Sequence, residues 1–174
     1  MQPLRELVGE QAASEFEQAV KGSEESEDPA VVQKNKDALR ALFTTLMQST
    51  PESIEAATKD LVAAAVASGE TFATSASSPD TNPTNPAQIA ELVTRLNAQF
   101  PNDIGSFVFF FLNFVQFQPG EGMFLKADDI HAYLSGDIVE CMASSDNVVR
   151  AGFTPKFKDV NTLTDMLTYS YAPI

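Results

Sequence analysis

The single histidine of the chain, His131, closes the run Lys126-Ala-Asp-Asp-Ile-His131. Imidazole exchanges protons near neutral pH and is a common zinc ligand. A catalytic zinc, however, takes about three protein donors, and one histidine with one unpaired cysteine, Cys141, makes no familiar metal motif. A second set, Glu140, Asp146, Arg150 and Lys156, lies within VECMASSDNVVRAGFTPKFKDV among apolar residues. Its types admit two readings. One is ion pairing at the rim of a barrel, which contributes little stability. The other is a phosphosugar pocket in which Arg150 and Lys156 hold an anion and the carboxylates exchange protons with a substrate. Residue type leaves both open. Cys141 as a nucleophile needs a base beside it, and no spacing brings His131 there; with Met142 it reads as core.

These side chains must be positioned by two kinds of element. From Leu4 the apolar residues Leu7, Val8, Ala12, Phe16, Ala19 and Val20 recur at three- and four-residue steps, which predicts an amphipathic helix. The polar, acidic stretch Lys21 to Pro29 reads as an exposed loop. A second helix carries Leu39, Leu42, Phe43, Leu46 and Met47, and a third opens with Thr50 as cap and Pro51 in its first turn. That third helix buries Ile54, Ala57, Leu61, Val62 and Ala65, with Gly69 closing it. From about 70 to 86 the Ser/Thr/Asn/Pro-rich sequence has almost nothing to bury and reads as a disordered surface insertion. A fourth helix with Ile89, Leu92, Val93 and Leu96 ends before Pro101.

Beyond Pro101 the composition shifts to aromatic and β-branched residues. SFVFFFLNFVQF predicts a strand covered on both faces, with the stripe Phe107 to Phe117 in the core. Short strands are expected at 123–125, 132–134 and 137–141, with a last helix near 163–167 capped by Asn161 or Thr162. The predicted fold class is therefore α+β, with residues 1–100 helical and 101–174 mostly in strands apart from that last helix.

Composition narrows the function. With 174 residues and 44% hydrophobic content the chain is suited to an ordinary globular domain. Its formal net charge of −13 argues against nucleic acid and anionic membranes as partners. One cysteine excludes an intrachain disulfide and fits a reducing compartment. The first ten residues have no secretory character, and the longest apolar run is too short to span a bilayer.

The stretch from Leu96 to Leu167 resembles the second conserved block of type I mannose-6-phosphate isomerases. The likeness is carried by Pro119-Gly120-Glu121, His131-Ala132-Tyr133-Leu134, Gly136-Asp137, Glu140-Cys141-Met142-Ala143, Ser145-Asp146-Asn147 and Val149-Arg150-Ala151-Gly152. The preceding helices look like the helical insert of that family. The resemblance implies an incomplete part of a larger cupin-pair fold: residues 1–100 as the helical insert domain, and 101–174 as part of a cupin-type β-barrel carrying half of the active site. It implies a zinc-dependent interconversion of mannose 6-phosphate and fructose 6-phosphate, supplying GDP-mannose and glycosylation from the cytoplasm. By the same resemblance His131 is a zinc ligand, Arg150 the catalytic arginine, and Tyr133, Glu140, Asp146 and Lys156 line the substrate pocket. The complete enzyme is expected to be monomeric, to hold one zinc and to act on a small phosphosugar.

Family members are more than twice as long, and their remaining zinc ligands, a Gln, a His and a Glu, lie in an earlier block without counterpart here. The chain is thus expected to be a fragment, inactive in isolation. Two other readings stay open: a non-catalytic truncated cupin fragment serving as an interaction or sugar-binding module, and a mononuclear cupin of different specificity. The match through Asp146, Arg150 and Lys156 weighs against the latter.

Overall fold

The computed structural model describes residues 1–72, 86–145 and 148–171. Its elements are α1 (Gln2–Val8), α2 (Glu10–Val20), α3 (Pro29–Met47), α4 (Pro51–Ser68), α5 (Pro86–Gln99), α6 (Gly105–Val108) and α7 (Val160–Met166), with 3₁₀ turns at Gly69–Thr71 and Phe109–Phe111. The helix expected from Leu4 to Val20 is broken at Gly9, where φ is 85°, a value that favours glycine. The break lets Arg5 on α1 pair with Glu10 and Glu17 on α2.

Side-chain caps set the starts of α3, α4 and α7. Asp28 caps α3 by accepting the Ala30 N–H at 2.8 Å, and Thr50 caps α4 by accepting that of Ser53 at 3.3 Å; each such cap is worth about 1 kcal/mol. The cap of α7 is Asp159, rather than Asn161 or Thr162. Its carboxylate accepts the Thr162 N–H at 3.0 Å and the Thr162 hydroxyl at 2.8 Å, which holds its pKa below the ordinary range.

The core is made by the expected helical faces: Leu42, Phe43 and Leu46 of α3, Leu61 and Ala65 of α4, and Leu92, Val93 and Leu96 of α5. Helix α4 packs on α5, α2 on α3, and α7 on α3. Asn35, only 3% exposed, is satisfied inside this framework. Its amide donates to the Ser23 carbonyl at 2.9 Å and to the Tyr171 hydroxyl at 3.2 Å, tying the 21–28 loop and the end of the chain to α3.

The strand half of the prediction is overturned. Among the described residues there is no strand, sheet or barrel, so the fold is helical rather than α+β with cupin strands. Residues 105–111, expected in a strand, are helical. Ile104, Phe107, Val108 and Phe111 recur at helical spacing, and the first three are buried against the helices. Phe111 meets Phe43 edge-on at 5.5 Å. The β preference of Phe and Val is weak beside burial of this kind, which is worth about 1.5–3 kcal/mol for each such side chain. The described residues between 112 and 159 run without helix or strand, because a strand needs a neighbour about 4.8 Å away to take its N–H and C=O groups. The predicted strands at 123–125, 132–134 and 137–141 find none among the described residues. Their apolar residues lie open instead: Phe124, Val139 and Met142 are 85%, 99% and 74% exposed. Cys141, expected in the core, is an exposed free thiol, and Phe117 is exposed as well.

No helix among the described residues is long and apolar enough to cross a membrane. Of the insertion expected at 70–86, residues 73–85 lie outside the described residues. Phe72 departs from that expectation. It is 4% exposed and packs edge-on against Phe110 at 6.5 Å. Phe72→Ala is therefore expected to cost about 3–5 kcal/mol in urea unfolding, whereas Val66→Ala, at a residue 70% exposed on α4, should change stability by less than about 0.5 kcal/mol.

Candidate functional site

The irregular run reaches the helical body again near its middle. Asp128, at φ 64°, accepts the Thr168 N–H on its carbonyl at 3.2 Å, and the Asp129 carboxylate accepts the Thr168 hydroxyl. These bonds pin the approach to His131 onto the chain leaving α7. His131 Nδ1 lies 3.3 Å from the Asp129 carbonyl; with the proton on Nδ1 this is a hydrogen bond that leaves the Nε2 lone pair free.

The His131 ring meets Tyr133 edge-on at 5.5 Å, and the Tyr133 hydroxyl donates to Glu140 Oε1 at 2.6 Å. His131 and Tyr133 line an open cleft of about 890 Å³ whose apolar wall includes Phe43, Phe111, Phe114 and Leu134. The imidazole and the phenol thus stand at a cleft large enough for a small polar ligand, and of the two only the phenol is hydrogen-bonded to a carboxylate. Each of these groups is of a type that can exchange a proton with a ligand.

The other predicted residues are not brought into this group. Arg150 is half-buried, forms no hydrogen bond or ion pair with any described residue, and does not line the cleft. Lys156 is exposed; its backbone N–H donates to Thr154 Oγ1 at 3.1 Å, and it too lies off the cleft wall. Asp146 falls outside the described residues. No group of three or more His, Cys, Asp or Glu suited to a metal occurs among the described residues. His131 offers one imidazole donor, and the donor set present does not fit a complete zinc site.

Asp103 and Gly152, to which sequence reasoning gave no individual role, anchor the segment bearing Arg150. Asp103 Oδ1 accepts the N–H of Gly105 and of Phe153, each at 2.7 Å, and Asp103 Oδ2 pairs with Lys158 Nζ at 3.2 Å. Gly152 lies against Gly105 so closely that a Cβ on Gly152 would come within 2.6 Å of the Gly105 Cα. The Asp103-Ile104-Gly105 turn is legible as a turn from its residue types; its partner some fifty residues on is not.

Residues 7–112 match the family described as phosphomannose isomerase type I, helical insertion domain. Among curated proteins, the chain is similar to a protein of Aspergillus fumigatus named mannose-6-phosphate isomerase, 80% identical over 172 residues, covering 99% of this chain and 38% of the relative. Proteins of the same name from Emericella nidulans and Saccharomyces cerevisiae are 71% and 43% identical, covering 99% and 98% of this chain and 37% of each relative. The chain thus spans somewhat over a third of the length of these curated relatives.

The Tyr133–Glu140 bond has a titration signature. A phenol that donates to a carboxylate loses its proton less readily, since the phenolate forfeits the bond and faces a like charge; Tyr133 is accordingly held above the ordinary value of 10.0. Glu140→Gln is expected to lower the Tyr133 pKa toward that value. A spectrophotometric alkaline titration, with Tyr133→Phe used to assign the transition, checks this.

Proposed function

Because the chain belongs to the type I phosphomannose isomerase family, we propose that it forms part of an enzyme interconverting mannose 6-phosphate and fructose 6-phosphate. The observation that carries this reading is the 80% identity to the Aspergillus fumigatus mannose-6-phosphate isomerase across 99% of the chain. His131 and Tyr133 at the cleft, with Glu140 hydrogen-bonded to Tyr133, support it. Activity is assigned to a polypeptide of the relatives' length.

The isomerisation moves a proton between neighbouring carbons of the opened sugar and gathers negative charge on oxygen between the two transfers. The Glu140 carboxylate, hydrogen-bonded to Tyr133, is a group able to take and return such a proton, with Asp146 an alternative on the same stretch. Arg150 presents a planar guanidinium for the phosphate or for the charge developing on oxygen. Lys156 is assigned to the same pocket as a second cation. Zinc belongs to this reading, with His131 as the one donor contributed here. The donors for a complete site are not gathered among the described residues, so no step is derived through the metal. A phosphosugar suits an acidic chain with local cations better than a polyanion does. We assign the monomeric enzyme to the cytoplasm, supplying mannose 6-phosphate for GDP-mannose and glycosylation.

In a full-length isomerase carrying this chain, Arg150→Ala should lower kcat by about a hundredfold if the guanidinium meets charge that grows in the transition state, with zinc content and melting temperature unchanged. A rise in KM at constant kcat identifies a phosphate anchor instead. Arg150→Lys restores charge without the two-pronged geometry and should recover only part of the loss. An Arg150→Ala enzyme that is folded, zinc-loaded and as active as its parent removes Arg150 from the mechanism. His131→Ala is expected to lose zinc and activity together, measured by metal analysis after dialysis beside the turnover assay.

A further inference from the structure

We infer that Asp103 is the positioning residue for Arg150, holding the segment 150–158 against the start of α6 so that the guanidinium keeps a fixed place relative to the helical core. Independent contacts converge on this anchor. Asp103 Oδ1 accepts the N–H of Gly105 on its own turn and that of Phe153 on the distant segment, each at 2.7 Å. Its second oxygen meets Lys158 Nζ at 3.2 Å, so one carboxylate grips the segment at two points five residues apart. The Phe153 ring lies against Phe100 with centroids 5.4 Å apart and fills the space in which a Cβ on Gly105 would stand. The backbone of Gly152 closes directly on Gly105, leaving no room for a side chain on either glycine.

Phe153 adopts a left-handed φ of 53°, unfavourable for a phenylalanine, and such a conformation persists where its surroundings over-determine it. Here those surroundings are the Asp103 bond and the ring contact. Asp103 itself is largely buried, its side chain 12% exposed, so both bonds are shielded from competing water. Val149 and Ala151, on either side of Arg150, are partly buried against the core as well. Arg150 is three residues from Phe153, a span of at most about 11 Å, and forms no bond of its own to a described residue. To that packing the Asp103 anchor adds the polar bonds that hold the chain on the C-terminal side of Arg150. Since a misplacement of about 1 Å at a reacting group can cost roughly a hundredfold in rate, the anchor controls turnover without touching substrate.

The catalytic consequence rests on the assignment of Arg150 to the active site; the positioning does not, and the two are tested separately in a full-length isomerase carrying this chain. Trypsin cleavage of the native protein after Arg150 reads the anchor, and cleavage after Lys21, in the exposed turn between α2 and α3, is the control. Asp103→Ala should accelerate cleavage after Arg150 by about tenfold or more and leave Lys21 unchanged. Asp103→Asn keeps the Oδ1 acceptor, loses only the ion pair, and should restore most of the protection. In the activity assay Asp103→Ala should lower kcat by about tenfold with little change in KM, and by less than about twofold further in an Arg150→Ala background, because coupled residues are not additive. Equal acceleration at both trypsin sites, no acceleration at Arg150, or a full multiplicative loss in the double variant overturns the proposal. Should Arg150→Ala keep full activity, its catalytic assignment falls and the trypsin result alone decides the positioning. Should Asp103→Ala fail to fold, Lys158→Met carries the test: a rise of about threefold after Arg150 alone supports the anchor, and no rise overturns it.

Discussion

Burial of Ile104, Phe107 and Val108 in the helical core determines where the rest of the chain can go. A short helical turn with Phe107 wholly enclosed is held by contacts on several sides, and extracting it would expose a large, closely packed apolar surface to water. Because that turn is fixed, the carboxylate of Asp103 just before it is fixed as well, and so is the point from which residues 112 onward leave the body. The paired rings of Phe43 with Phe111 and Phe72 with Phe110 extend the same constraint to α3 and to the end of the 3₁₀ turn after α4.

Beyond this plug the chain is held differently. Residues 112–159 carry apolar side chains at many positions, yet many stand open, and the backbone has no ladder among the described residues to join. Such a run is located by the few apolar residues it lays on the core, Ile130, Leu134, Val149 and Ala151 among them, and by individual bonds. It is attached at Asp128 and Asp129 by Thr168, and at Phe153 and Lys158 by Asp103. The residues with chemical potential sit close to these attachments: His131 comes just after the first, Arg150 just before the second. Functional groups on an irregular segment are positioned by its few fixed points, which is why the attachment residues matter as much as the reactive ones.

The helical part was largely readable from the order of residues, and the reason is local. Three- and four-residue apolar spacing, Thr50 before Pro51 and Asp28 before Pro29 act within a few positions and need no distant partner. Where the local pattern misled, a tertiary term outweighed it. SFVFFF has the composition of a strand, but Ile104, Phe107, Val108 and Phe111 also fall on one helical face, and the helices around them reward that face. Phe72 sits in a stretch polar enough to pass for a passive insertion, and only the presence of Phe110 beside it makes it core. The short apolar runs beyond Leu112 carry a strand pattern, and a pattern of that kind has no effect until a second backbone lies alongside it.

For the site, the order of residues determined the types and the linear proximity: one imidazole, a phenol two residues on, carboxylates and an arginine farther along, all in a sequence dense with likeness to one isomerase family. Proximity of His131 to Tyr133 comes from that linear order. The tertiary structure decided what linear order cannot. It closed Tyr133 onto Glu140 across seven residues, left Arg150 away from that cleft, and joined Asp103 to Phe153 across fifty. A hydrogen bond between residues so far apart depends on how both flanking segments pack, and that packing is a property of the whole core and not of any window of sequence.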